Sequence, residues 1–574
     1  MMFPRLKNDA RFLVGYSAFD GRPLYVDERD LKQHALVVGS SGSGKSRLIE
    51  SLIREIARAV PRRGALLIDP HGSAYENLKK YFAGQPRYRN RVLTFDVNDE
   101  QHFFGLNMFQ PNGLNIDDQV SQIIRSVSKV AGDELDQAAP RRERWERNTF
   151  LVAVRRGLTW PEIPYFLLDD ELKMRLVDQG EDFYLQAEWS ELCAIKRVQE
   201  RWGLIEAVLN RTRKFVSDHT SLIFGQPETT IPIRKAMDEG LIILVNLLPK
   251  RVSLEVSQMI GILLCDTVLN AAMQRTPEVS RPFYFFVDEC GEMASPDLAR
   301  SLNALRKFCV SCTFACQELE QLRMKGDERL YEACLTDCHT KLIFSTSYKD
   351  SETLANELFV GKIRGDQIKH RNEHTVLIPR ETTRKIRSTS WMDSESESET
   401  DSDLSSASSA TGSGVSSTFG GDPFEPTSYS SESTSYITSG GSSSGHATSR
   451  GRSSARGGSE SEVPFYEYLQ EKEESGRDYY SVEEMKEKFR SWIANSRQRF
   501  FQFKIRGRAP LLARAPEIRD VTVSKRMLKL LEAQTVTRYC LPRETVLKRI
   551  ELRKDRLLIQ GAELVEELPD GGEE

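Results

Sequence analysis

Nine cysteines in 574 residues are too few, and too scattered, to form a disulfide framework. No apolar run reaches the roughly 18 residues that a membrane-spanning helix needs. The best stretches, residues 241–248 and 259–269, are short and carry Asn246 and Asp266. The start, MMFPRLKNDARF, lacks the apolar core of a signal peptide. There is no excess of positive charge either: Lys and Arg number 80, Asp and Glu 84, for a net charge of −4. The chain as a whole is therefore not a basic coat for nucleic acid, and any such site must be a local patch. Apolar residues make up only 39%, so part of the chain is expected to stay outside any packed core. These deficits exclude transmembrane, secreted and collagen-like classes. They lead to the expectation of a soluble, cytoplasmic protein without membrane insertion.

The cysteines do show local spacing. Cys309 and Cys312, with Cys334 and Cys338, mimic a zinc site on paper. Tetrahedral zinc usually sits on loop knuckles, whereas FCVSCTFAC reads as a buried strand in which free cysteine is a common core residue.

A chain of this length predicts two to four folded units. One boundary stands out. From residue 388 to 461 about a third of the residues are Ser, with Gly, Thr and Glu between them. Such a stretch buries too little to offset its ordering entropy, and a disordered linker is expected over 388–462.

Before it, short apolar runs alternate with helical periodicity. A hairpin is expected over 12–25, around Asp20-Gly21. Strands are expected at 34–38, 65–68, 92–95, 241–245, 283–287, 310–315 and 342–345. Helices are expected at 45–58, 254–273, 296–307 and 351–359. This alternation implies a mainly parallel α/β sheet covered on both faces. Between about 117 and 218 the strand signal vanishes, and an all-helical insertion is expected. The domain plan is 1–116 and 221–387 for the two parts of the α/β domain, 117–220 for the insertion, and 463–574 for a C-terminal α+β region. The last contains a strand pair at 499–521, helices at 482–496, 525–534 and 544–553, and an acidic tail.

Gly39-Ser40-Ser41-Gly42-Ser43-Gly44-Lys45-Ser46 fits GxxxxGK(S/T) at every fixed position. It follows an apolar strand and opens a helix, which is the context the motif requires. Its glycines let backbone N–H groups wrap phosphates, and the helix N-terminus adds a favourable field. Lys45 would reach the β- and γ-phosphates of ATP, and the Ser46 hydroxyl would bind Mg²⁺. A second motif is the apolar strand 282–287 ending in Asp288-Glu289. Asp288 would hold Mg²⁺ through water, and Glu289 would polarise the attacking water; a Glu there argues for hydrolysis rather than a nucleotide switch. Gln317 ends the following strand, where an amide could sense the γ-phosphate or the water, or simply begin a helix. Asp69-Pro70-His71-Gly72 ends another strand at the same edge, as a tight turn or as a group acting near the nucleotide or in coupling.

Taken in order, HALVVGSSGSGKS, LLIDPHG, a helical insertion, EGLIILVNLLPK, FYFFVDECGEM and LRKFCVSCTFACQELEQL resemble the HerA–FtsK superfamily of ring ATPases. Within it they look most like the soluble domain of type IV secretion, or conjugative, coupling proteins. The resemblance covers residues 12–360, and more weakly 499–521. It implies a RecA-like P-loop fold with an inserted all-α domain, six copies around a DNA channel, and DNA pumping driven by ATP. It places Lys45 and Ser46 on Walker A, Asp288 and Glu289 on Walker B, and Gln317 on the sensor glutamine. It also places Arg306 on an arginine finger that reaches a neighbouring subunit's ATP. From spacing alone Arg306 is a cation near a helix end. Coupling proteins usually begin with membrane helices; their absence from this sequence leaves open a membrane-free coupling protein, a mobile-element pump or a defence-system ATPase.

The implied partners are DNA of undecided strandedness, further copies in a homohexamer, and a relaxase or other cargo protein. Basic clusters at 141–144, 211–214 and 504–514 could meet phosphates. Acidic residues interleave with the first, which reads better as a solvated helix face. Trp145, Trp189 and Trp202 read as core anchors of the helical insertion. The contrasting reading is an ATP-gated adaptor that recruits cargo with little DNA activity.

Overall fold

The computed structural model describes residues 10–131, 140–178, 182–323, 328–359, 362–363, 368–396 and 451–560. The chain divides into Met1–Gln367 with Tyr480–Glu574, and Ile368–Tyr479.

In the larger unit, short runs of Val, Ile, Leu and Phe become strands buried along their whole length. They are β3 (Ala35–Val38), β4 (Gly64–Asp69), β7 (Ile242–Asn246), β8 (Phe283–Val287), β9 (Val310–Cys316) and β10 (Thr340–Ile343). Continuous apolar runs of this kind suit strands covered on both faces. β5 (Val92–Asp96) closes the parallel part of the sheet, which runs β10-β3-β9-β8-β4-β7-β5. On the other side four antiparallel strands continue it in the order β13-β14-β1-β2: β13 (Phe500–Ile505), β14 (Leu511–Arg514), β1 (Arg11–Ser17) and β2 (Pro23–Asp27). Residues separated by more than 450 positions thus share one sheet.

Alternation along each strand feeds two cores. Leu66 and Ile68 of β4 point to one face, Ala65 and Leu67 to the other. Helix Lys45–Arg58 covers the second face with Leu48, Ile49, Leu52, Ile53 and Ile56. Helix Leu254–Met273 covers the first. It is 20 residues long and, by length and composition alone, apolar enough to cross a membrane, the one such helix among the described residues; 78% of its most apolar window is buried inside the protein. The helix matches the one expected at 254–273; Glu255 and Asp266 interrupt its apolar run without breaking it.

Between β6 (His102–Phe103) and β7, the elements among the described residues are all helical, the first opening at Ile116. Their core is aromatic. Trp160 stacks on Phe109 with centroids 5.6 Å apart and donates its Nε1–H to the Thr212 carbonyl at 2.9 Å. Trp145 and Trp189 are buried 5.1 Å from each other. Trp202, read as a third anchor, is instead 37% exposed, on the outer side of helix Val198–Lys214.

Helix Lys525–Tyr539 lies over β5, where the Thr535 hydroxyl accepts the Thr94 N–H at 2.9 Å. The short β15 (Leu541–Pro542) pairs with β6, and helix Arg543–Gln560 then runs onto the helical insertion.

The smaller unit is an antiparallel ladder of β11 (Ile368–Ser396) and β12 (Gly451–Tyr479). Cross-strand pairs such as Arg387–Glu460 at 3.1 Å and Lys472–Glu373 at 3.4 Å line it. Of the Ser-rich stretch expected as a linker, residues 397–450 lie outside the described residues, while 388–396 and 451–462 extend this ladder. The acidic tail from 561 onward also lies outside them.

Candidate nucleotide site

The phosphate loop turns between β3 and helix Lys45–Arg58. Gly42 and Gly44 take φ of +75° and +119°, a region costly for any residue with a Cβ. A Cβ on Gly39 would lie 2.6 Å from Phe344 Cβ and 2.8 Å from Ser43 Oγ, so the loop is packed from beneath. Lys45 is buried, and its ammonium donates to the Gly39 and Ser40 carbonyls. The Ser43 hydroxyl is buried with no hydrogen-bond partner. Ser46 stands in the first turn of the helix.

The loop is also held from outside. Ser40 donates its N–H to the Ser345 carbonyl at 2.7 Å. Gln498 Nε2 donates to the Gly42 carbonyl and the Arg499 N–H to the Ser43 carbonyl, both at 2.9 Å. Arg499 takes a φ of +70° to do so. Sequence reasoning missed Gln498 and Arg499, because no local signal ties a residue to a motif 450 positions away.

β8 brings Asp288 and Glu289 to the same sheet edge. Asp288 is buried, and burial, reinforced by Asp69 and Glu289, pushes its carboxyl up to about 7. Glu289 takes φ +47°. Its Oε1 accepts Gln317 Nε2 at 2.8 Å and lies 3.3 Å from His71 Nε2. Burial alone would raise this carboxyl; the bonds from His71 and Gln317 and the charge of Lys45 outweigh it and hold it below the usual range. Asp69 turns inward and ties the next turn, accepting N–H groups from His71 at 3.0 Å, Gly72 at 2.9 Å and Tyr75 at 2.8 Å. Three carboxylates thus converge near one buried ammonium. The donor chemistry of the buried Asp288 carboxylate and the Ser46 hydroxyl, both hard oxygens, fits a divalent cation, and these two residues would hold Mg²⁺.

The structure therefore gathers Gly39–Ser46, Asp288, Glu289 and Gln317 in one place, and His71 with them. Arg306 it does not. That residue is exposed in the last turn of helix Pro296–Lys307, which precedes β9, and its Nη1 donates to Gln33 Oε1 at 2.9 Å. The seven residues of β9 separate it from Gln317 by roughly 20 Å.

The basic clusters are largely engaged. Arg144 meets Glu188 at 3.1 Å, and the buried Arg211 meets Glu146 at 2.7 Å. Lys504 donates to the Glu357 carbonyl at 3.1 Å, and Arg508 meets Asp30 at 3.1 Å. Arg213 and Lys214 are exposed.

Two family models match. Residues 13–234 match the central domain of helicase HerA, and residues 234–405 match the DNA-binding domain of type IV secretion-system coupling proteins. Together they span more than half of the chain. These matches support a P-loop ATPase of the HerA–FtsK type that resembles the coupling proteins. No curated protein matches. Among solved structures, the bacterial conjugative coupling protein TrwBdeltaN70 in its unbound monoclinic form is similar at 14% identity and a TM-score of 0.48, over 90% of this chain and 92% of that one. Plasmid coupling protein TrwB in complex with ADP and Mg²⁺ is similar at 14% and 0.48, over 91% and 98%. VirB4 of Thermoanaerobacter pseudethanolicus is similar at 15% and 0.41, over 61% and 88%. The sequence models carry the assignment.

Proposed function

We propose that this chain is an ATP-hydrolysing ring motor that translocates DNA, with six copies around the channel. The observation that carries the reading is the separation of Arg306 from its own phosphate loop by the length of β9. The separation rules out action on its own ATP; in this reading Arg306 serves a neighbour's site instead, and hydrolysis then depends on assembly.

Lys45 and the N–H groups of Gly39–Ser46 bind and orient the phosphates of ATP. Mg²⁺, when bound, neutralises charge developing between the β- and γ-phosphates. Glu289, kept ionised by its two donors, takes the proton of the attacking water through its other oxygen. Gln317 fixes that carboxylate. Arg306 of a neighbouring copy stabilises the transferring phosphoryl group, an effect of roughly 10³–10⁵ in rate where such fingers are known. The reading implies a cytoplasmic motor, with a relaxase or other cargo protein as its further partner.

The test mixes two inactive variants. Arg306→Ala should bind ATP, form rings and hydrolyse slowly, and Lys45→Ala should fail to bind. Mixed rings contain interfaces with an intact loop on one side and an intact arginine on the other, so turnover should partly return. Rings without rescue would reject the role in trans. Steady-state ATPase with and without single- and double-stranded DNA separates a motor from an adaptor, since only the motor is stimulated.

A further inference from the structure

We propose that His71 is a positioning residue for the hydrolytic base, clamping Glu289 from the side opposite Gln317. The proposal rests on the reading of Glu289 as that base.

β8 lies between β4 and β9 in the sheet. Glu289 follows β8, His71 follows β4, and Gln317 follows β9, so the base stands between the two flanking residues. Both reach the same carboxylate oxygen, Gln317 Nε2 at 2.8 Å and His71 Nε2 at 3.3 Å from Oε1. Two donors on Oε1 fix the plane of the carboxylate and leave Oε2 to face a water.

His71 itself is held firmly. Pro70 restricts the backbone before it. The Asp69 carboxylate accepts three successive backbone donors across the turn, from His71, Gly72 and Tyr75. Gly72, at φ +72°, then opens helix Ser73–Ala83; a Cβ there would lie 2.9 Å from Asn246 Oδ1. A turn alone needs Pro, Gly and Asp. It does not need an imidazole, and this one is half-exposed with its ring nitrogen directed at the base. The other charged groups near this contact are Asp288, Asp69 and Lys45.

The clamp predicts a loss in turnover without a loss in binding. His71→Ala should lower kcat by roughly 10- to 100-fold, the scale of a misplaced catalytic group. Affinity for a non-hydrolysable ATP analogue and the melting temperature should stay near wild type. His71→Gln places an amide donor at similar reach and should recover much of the rate. A readout free of turnover is the imidazole signal of His71 by NMR in nucleotide-free protein. Its pKa should fall when Glu289 is replaced by Gln, because the partner charge is gone. Turnover lost in Glu289→Gln but retained within twofold in His71→Ala overturns the clamp alone. Turnover retained in Glu289→Gln overturns the assignment of the base, and the clamp with it. Loss of analogue binding together with melting temperature in His71→Ala, or an unchanged imidazole pKa in Glu289→Gln, reduces His71 to a turn residue and overturns the proposal.

Discussion

Arg553 donates to both carboxylate oxygens of Glu162, each at 3.0 Å, and its second Nη2 bond goes to the Gly157 carbonyl at 2.9 Å. The pair ties helix Arg543–Gln560 to the helical insertion. Glu162 is largely buried and also accepts the Thr159 N–H at 2.6 Å, so the arginine completes an existing cap.

Removing one member of a buried pair leaves the other charge uncompensated. Arg553→Ala should therefore cost about 3 kcal/mol in the stability of the insertion. Hydrogen exchange should show the loss in helices near Trp160 and leave β4 and β8 unaffected. Uniform loss across the sheet would show that the contact does not act locally.

Lys45→Ala should abolish nucleotide binding, because it removes the ammonium seated under the phosphate loop. Glu289→Gln should bind normally and stop turnover. A fluorescent ATP analogue and steady-state hydrolysis separate the two: binding intact in Lys45→Ala, or hydrolysis within a few-fold of wild type in Glu289→Gln, contradicts the assigned roles.

Asp288 sets a pH dependence. Burial, Asp69 and Glu289 raise its carboxyl from 3.8 to about 7. Between those values the folded, nucleotide-free protein keeps a proton that the unfolded chain has lost. The group therefore costs stability as pH rises through the window. Asp288→Asn should match wild type in melting temperature only below about pH 4, and exceed it by a margin that grows up to about pH 7 and then levels off. Asp266 and Glu146, also raised to about 7 by burial, tilt both proteins alike, so the difference is the measurement. A difference flat in pH would show that Asp288 is not perturbed.

Ser396 pairs with Gly451 across the ladder. Replacing residues 397–450 with Asn-Gly should close the hairpin there. Nucleotide binding and ATPase should be retained, with a melting temperature within about 2 °C of wild type. A large fall would show that the removed stretch packs on the folded protein.

The phosphate loop, the Asp-Glu pair and the buried strands were legible in the sequence, because each depends on neighbours a few positions away. Gly42 and Gly44 need left-handed backbone, Lys45 must open a helix, and a fully buried strand must be apolar throughout. The DPHG turn was legible as a turn, through Asp69, Pro70 and Gly72. That His71 meets Glu289, that Gln498 and Arg499 brace the phosphate loop, and that Arg306 lies a strand's length from its own site were not. Those relationships follow from strand order in the sheet, where β4, β8 and β9 become neighbours and β13 enters beside β10. Local periodicity carries no record of that order; it is set by long-range packing of two faces against one sheet.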